Sequence, residues 1–188
     1  MGNSDPLLPE QGQTLVRLAR HALETKIGNE TRKPPPADRR LYGKGATFVT
    51  LTAGGALRGC IGTPEAHSSL ADDVKENAVR AATMDPRFPP VSPSELPRIH
   101  IEVSVLSPPR LLECPPEERP ERVRPGIDGL LLTSGFNRGL LLPQVWEKMP
   151  QPEEFLAVLC RKAGLPPDAW RRPDTDLYTF QVQAFDEE

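Results

Sequence analysis

The chain has 188 residues, of which 37% are hydrophobic and 26% charged, and its formal net charge is −3. These values are typical of a globular protein, and the interspersed charges of both signs argue against a dedicated nucleic-acid binder. No apolar run approaches the roughly 18 residues that a membrane-spanning helix needs, and the first residues lack the pattern of a secretory signal. We therefore expect a cytoplasmic protein.

The first predicted element is a helix over residues 12–27, where apolar residues recur at helical spacing before Gly28. A β-hairpin follows over residues 46–61, with Gly54 and Gly55 supplying a two-residue turn. We expect a flexible tail over residues 1–11 and a single domain over residues 12–188.

The two-residue turn predicts which side chains share a face of the hairpin. Counting back from it places Val49 opposite Cys60, so Cys60 and Arg58 would share one face with Val49 and Leu51. This assignment depends on the two-residue loop, and one extra loop residue would reverse it. The other face would carry Phe48, Leu57 and Ile61.

The rest of the chain predicts an α+β fold, with a largely antiparallel sheet flanked by helices. A helix capped by Ser68 or Ser69 has Asp72 and Asp73 near its positive end. Later elements are a strand over 99–106, two strands within 129–143, a helix over 152–163 and a terminal strand over 177–185.

Cys60 is the first candidate for chemistry, because it stands between Gly59 and Gly62 in the stretch LRGCIG. Glycines within a strand often allow a ligand or a second backbone to approach closely. Arg58 could favour a thiolate, but an arginine cannot act as a base at neutral pH. A reactive thiol and a small packed side chain both remain open.

Two further stretches carry candidate binding groups. In DPRFPP, Asp85 and Arg87 either form a surface ion pair in a stiff loop or hold an anionic substrate. Along the strand at 99–106, His100, Glu102 and Ser104 share one face, which is either a polar solvent face or part of a site if that face is covered.

The cysteines and histidines predict no metal site. There are three cysteines and three histidines, and their wide spacing matches neither a disulfide framework nor a zinc motif. Nothing in the sequence names a cofactor.

Six stretches appear in the order found in the AMMECR family, whose bacterial and archaeal members are called AmmeMemoRadiSam system protein A. The resemblance extends over roughly residues 12–187. The stretches are LRGCIGT, DPRFPPV, EVSVLSPP, GIDGLLL, LLLPQV and FLAVLCRKAGL.

The resemblance implies an α+β fold in two unequal sub-domains, with the hallmark residues near a cleft between them. It also implies two partners, a Memo-type protein related in fold to extradiol dioxygenases and a radical SAM protein, but it implies no reaction. With Cys60 as the candidate nucleophile or redox thiol, the residues expected to bind a small molecule are Arg58, Gly59, Gly62, Thr63, Asp85, Arg87, Glu102 and Gln144.

Two functions remain open from the sequence. The first is a cysteine-dependent enzyme in which Cys60 reacts and Arg58 and Arg87 bind an anionic substrate. The second is a non-catalytic adaptor that holds a partner protein or delivers a small molecule to it. Nucleic-acid binding is disfavoured, because aromatic residues make up only 5% of the chain.

Overall fold

The computed structural model describes residues 6–188, which divide into two compact units. The first unit extends to Leu106 and includes Gln183–Glu188, and the second is Ser107–Val182. The predicted tail over 1–11 lies partly outside the described residues. The helices are α1 (Pro9–Lys26), α2 (Leu70–Thr83), α3 (Arg119–Arg122) and α4 (Pro152–Lys162). The strands are β1 (Ala46–Ala53), β2 (Ala56–Gly62), β3 (Ile99–Leu106), β4 (Arg110–Leu111), β5 (Gly129–Ser134), β6 (Asn137–Leu141), β7 (Asp176–Phe180) and β8 (Val182–Asp186).

The first unit is a four-stranded antiparallel sheet, in the order β2-β1-β3-β8, with α1 and α2 packed on one face. The predicted helix over 12–27 is confirmed as α1, which begins three residues earlier because Pro9 suits a first helical turn. Its apolar stripe and that of α2 bury the core face of β1 and β3, on which Val49, Leu51 and Ile101 are fully buried.

The predicted hairpin is present, but its predicted register is wrong beyond the first two pairs. Thr52 pairs with Leu57, whereas Leu51 pairs with Gly59, so Arg58 has no partner in β1 and forms a β-bulge. Cys60 therefore lies opposite Thr50, on the face away from the helices, and not beside Val49 and Leu51. Ile61 takes the core face opposite Val49.

The second unit contains the other antiparallel sheet, in the order β4-β7-β5-β6, with α4 packed against β5 and β6. The predicted terminal strand is divided at Gln181, with β7 in this sheet and β8 in the first. The two predicted strands within 129–143 are confirmed as β5 and β6, joined by a turn at Gly135 and Phe136.

The predicted α+β class is confirmed, because helices pack on separate antiparallel sheets rather than alternating with parallel strands. Within residues 6–188, no helix has the length and apolar character needed to cross a membrane.

Candidate functional site

A row of three polar side chains crosses the outer face of the first sheet, the face opposite α1 and α2. Thr50 of β1 lies directly between Cys60 of β2 and Glu102 of β3 in the strand register. The Thr50 hydroxyl donates a hydrogen bond of 3.4 Å to Sγ of Cys60. All three residues are half-buried. The row therefore combines a reachable thiol with a hydroxyl and a carboxylate.

The predicted alternation of β3 is confirmed, and it places Ser104 beside the row on the same face. Its hydroxyl donates to Oε1 of Glu102 at 3.4 Å. Ser104 is only 2% exposed, so this end of the face is covered rather than open to solvent. The sequence allowed Glu102 to belong to a site if this face of the strand were covered.

The backbone amide of Cys60 points out of the sheet edge and is held by Asp85. It donates a hydrogen bond of 2.9 Å to Oδ2 of Asp85, whose side chain is 2% exposed. Hydrogen bonds from the Arg87 guanidinium are the largest cause that holds the pKa of Asp85 well below its ordinary value, and the Cys60 amide adds to it. Asp85 is thus an anion at neutral pH, and it links the loop after α2 to the cysteine.

Arg87 is the exposed cation of this site. It donates from Nε and from a terminal nitrogen to the two carboxylate oxygens of Asp85, at 2.9 and 2.7 Å, and its guanidinium lies 5.5 Å from the ring centre of Phe88. Hydrogen bonding to Asp85 raises the pKa of Arg87, and the charge of Cys60 contributes to the same direction. Since its side chain is 54% exposed, Arg87 retains donors that can face an anion.

The guanidinium of Arg58, by contrast, is bound to other residues of the protein. Its guanidinium donates to both carboxylate oxygens of Glu95, at 2.9 and 3.3 Å, and to the carbonyl of Pro89 at 2.9 Å. Hydrogen bonds from Arg58 and from Ser92 lower the pKa of Glu95 to about 2. The charge of Arg58 is therefore balanced by the carboxylate of Glu95. The contacts of Arg58 with Glu95 and Pro89 hold the loop of residues 84–98 against β2.

The two glycines that flank Cys60 leave space that other groups fill. A Cβ at Gly59 would lie 2.1 Å from the carbonyl oxygen of Ala81 in α2, and one at Gly62 would lie 2.1 Å from the ring of Phe48. Gly59 thus allows the backbone of α2 to approach, which is one of the two possibilities left open by the sequence, whereas Gly62 makes room for a side-chain ring on the opposite face of β2.

Thr63 belongs to a buried polar network at the start of α2. Its hydroxyl lies 3.1 Å from Nδ2 of Asn77, which also donates to Oδ2 of Asp73 at 3.0 Å. Thr47 donates to the same oxygen from its amide at 2.8 Å and from its hydroxyl at 2.7 Å. Burial raises the pKa of Asp73 in spite of these bonds. The network joins β1, α2 and the end of β2.

The remaining predicted site residue, Gln144, lies in the second unit. It is exposed on a short 3₁₀ helix, Pro143–Glu147. The row and its surrounding loop consist of first-unit residues. Among the described residues, no three histidine, cysteine or acidic side chains are arranged to hold a metal ion.

Sequence reasoning missed two residues of this region. Glu95 could have been found from the spacing of Ser92 and Glu95, because S-x-x-E is a capping pattern, and both the amide and the hydroxyl of Ser92 do donate to Glu95. For Thr50 the only sequence signal was a hydroxyl within an apolar strand. Its position beside Cys60 depends on the bulge at Arg58, which the sequence did not predict.

The chain is similar in sequence and in structure to known proteins. A model of the AMMECR1 family matches residues 16–185. A protein of Thermococcus gammatolerans is 48% identical over 95% of this chain and 91% of its own length, and protein TK0174 of Thermococcus kodakarensis gives the same values. The crystal structure of uncharacterized protein PH0010 from Pyrococcus horikoshii is similar with a TM-score of 0.85 and 46% identity, over 95% of this chain and 92% of that one.

Proposed function

The chain belongs to the AMMECR1 family, and from the geometry of its sheet face we propose that it is a cysteine-dependent enzyme acting on a small anionic molecule. The observation that carries the proposal is the outward position of Cys60, with its thiol in the polar row and its amide bonded to Asp85. The proposal includes the cytoplasmic location expected from the sequence, where thiols stay reduced.

Cys60 supplies the nucleophile in this proposal. A thiolate is the reactive form of cysteine, and a neighbouring cation favours it. Arg87 is the candidate cation, because its guanidinium donates to the same oxygen of Asp85 that accepts from the amide of Cys60. The thiolate attacks an electrophilic carbon of the substrate, and a leaving group departs with the electron pair of the bond that breaks.

Arg87 also selects the substrate in this proposal. Its exposed guanidinium donors point to recognition of a carboxylate or phosphate, which guanidinium groups bind with paired hydrogen bonds. Arg58 and Asp85 then have supporting roles. Arg58 holds the loop through Glu95, and Asp85 orients both Arg87 and the amide of Cys60.

Two alkylating reagents of different charge test this function. Iodoacetamide is neutral and iodoacetate is anionic, and each transfers its carbon to a thiolate while iodide leaves. In a Cys114→Ser background, peptide mass spectrometry follows Cys60, since Cys160 is fully buried. We expect Cys60 to react in the native protein, with an iodoacetate-to-iodoacetamide rate ratio that falls severalfold in Arg87→Gln.

Arg98→Gln is the matched control, because Arg98 is an exposed arginine further along the same segment. It should leave the rate ratio unchanged. A Cys60 that reacts only after denaturation would overturn the enzyme proposal. Equal rate ratios in Arg87→Gln and in the wild-type protein would show that Arg87 does not recognise the anionic reagent.

A second function, a non-catalytic adaptor for a Memo-type protein and a radical SAM protein, is favoured by Phe136. This aromatic side chain is fully exposed at the turn between β5 and β6. Exposed aromatic residues are frequent anchors of protein interfaces. Binding of a purified Memo-type protein, measured by titration calorimetry and lost in Phe136→Ser, would support an adaptor; unchanged binding in the variant would exclude this anchor.

A further inference from the structure

Thr50 occupies the central position of the polar row and donates a hydrogen bond to Sγ of Cys60. Side chains directly opposite in antiparallel strands have Cβ atoms about 4.5–5.5 Å apart. Thr50 is opposite Cys60 on one side and opposite Glu102 on the other. A hydroxyl both donates and accepts, so a Thr50 hydroxyl that accepted from the Cys60 thiol would have its own proton available for the carboxylate opposite it.

Glu102 has the properties of a proton acceptor. Its carboxylate accepts a hydrogen bond of 3.4 Å from the neutral hydroxyl of Ser104. Across residues 6–188 it forms no ion pair, whereas Asp85 and Glu95 are both paired with arginines. The carboxylate of Glu102 is therefore without the guanidinium contacts that occupy Asp85 and Glu95.

We infer that Glu102 is the base that activates Cys60 and that Thr50 carries the proton between them; the inference rests on the proposed enzyme function. The thiol proton passes to Oγ1 of Thr50 while the hydroxyl proton of Thr50 passes to the carboxylate of Glu102. The products are a thiolate and a neutral carboxylic acid, so the net charge of the row is unchanged. Thr50 is a positioning residue in this step.

The surrounding charges are compatible with this transfer. Asp85 is paired with Arg87, and the oxygen of Asp85 that binds the guanidinium also accepts from the Cys60 amide, so this carboxylate adds no unpaired negative charge beside the thiol. On the same face of β3, His100 lies two residues from Glu102, but its Nε2 contacts Asp186 of β8 at 3.3 Å. Glu102 is therefore the carboxylate in register with Thr50, and His100 serves as a control position.

The rate of iodoacetamide alkylation of Cys60, measured from pH 5 to pH 10 in the Cys114→Ser background, tests the relay. The neutral reagent removes any effect of Arg87 on reagent binding. We expect Glu102→Gln and Thr50→Val each to move the midpoint of the pH profile upward. The rate near pH 6 should drop at least about tenfold, with the plateau at high pH retained, because base assistance commonly contributes 10² to 10⁴.

Two variants keep the test decisive. Thr50→Ser retains the hydroxyl and should restore the original pH profile, which a purely structural role for the threonine methyl would not allow. His100→Gln should leave the profile unchanged. Circular dichroism checks that each variant is folded, and Thr50→Ala replaces Thr50→Val if the latter is not.

The outcomes separate the relay from the function on which it rests. If Cys60 is inert in the native protein at every pH, the proposed enzyme fails and the relay fails with it. If Cys60 reacts but Glu102→Gln and Thr50→Val keep the original midpoint, the relay alone is overturned.

Discussion

The backbone amide of Cys60 donates a hydrogen bond of 2.9 Å to Oδ2 of Asp85, and this bond attaches the loop after α2 to the outer edge of β2. An edge strand exposes unpaired amides that can pair with another chain. Asp85 satisfies one of these amides and holds Arg87 at the same time. The contact therefore protects the sheet edge and places a cation beside the proposed nucleophile.

Replacing Asp85 with alanine should destabilise the protein. The Cys60 amide would lose its acceptor, which costs about 1–3 kcal/mol when the group stays buried. Because the folded pKa of Asp85 is lowered, its stabilising effect is present above its ordinary pKa of about 3.9 and lost as the pH falls toward the folded value. Urea unfolding between pH 2.5 and pH 7 measures both effects.

Asp174→Ala is the control for this prediction, since Asp174 is exposed. It should change the free energy of unfolding little at any pH. If Asp85→Ala retained the acid dependence of the unchanged protein, Asp85 would not be the group responsible.

The sequence predicted α1, the hairpin, β3 and α4 because each depends on local periodicity and turn residues. The bulge at Arg58 could not be predicted in this way, since it depends on distant groups. Gly59 packs against the carbonyl of Ala81, and Arg58 reaches Glu95. These contacts bring together segments more than 20 residues apart, and they decide the face on which Cys60 lies.

Candidate residues were predictable by type but not by role. Asp73 was expected to favour the positive end of α2, yet its carboxylate is buried and bonded to Thr47. Arg58 was expected to bind an anion, and Glu95 balances its charge instead. A sequence shows which residues carry charge, whereas the partner of each charge depends on packing.

Exchange of Arg58 for lysine should loosen the loop of residues 84–98 while keeping the charge. Lysine cannot donate to both oxygens of Glu95 and to the carbonyl of Pro89 with the planar geometry of a guanidinium. We expect severalfold faster hydrogen exchange at the amide of Ser92, which donates to Glu95. Arg98→Lys should leave that rate unchanged, and equal exchange in both variants would contradict the role given to Arg58.

Alanine at Gly59 should destabilise the protein more than alanine at Gly62. The new methyl group at position 59 would meet the backbone of α2, which cannot rotate away, whereas at position 62 it would meet the ring of Phe48. Overpacking of this kind costs typically 1–3 kcal/mol. Thermal and urea unfolding of the two variants give the comparison, and the reverse order would show that β2 can shift away from Ala81.

The buried network at Asp73 should give a pH dependence opposite to that of Asp85. Burial raises the folded pKa of Asp73, so the folded state binds its proton more tightly than the unfolded state does. Stability from this group is then greatest below its unfolded pKa of about 3.9, and it declines as the pH rises through the folded value.

Asp73→Asn should remove this decline while retaining an oxygen that accepts from Thr47. Because the variant has no charge to bury, its free energy of unfolding at neutral pH should rise, before any loss from rearranged hydrogen bonds. Asp72→Asn is the control one residue away, because hydrogen bonds from Lys75 and Ser69 lower the pKa of Asp72 and its pH dependence has the opposite sign. The measurement is the free energy of urea unfolding from pH 4 to pH 8. If the free energy of unfolding of Asp73→Asn still declined as the pH rises, another buried group would be responsible for the decline.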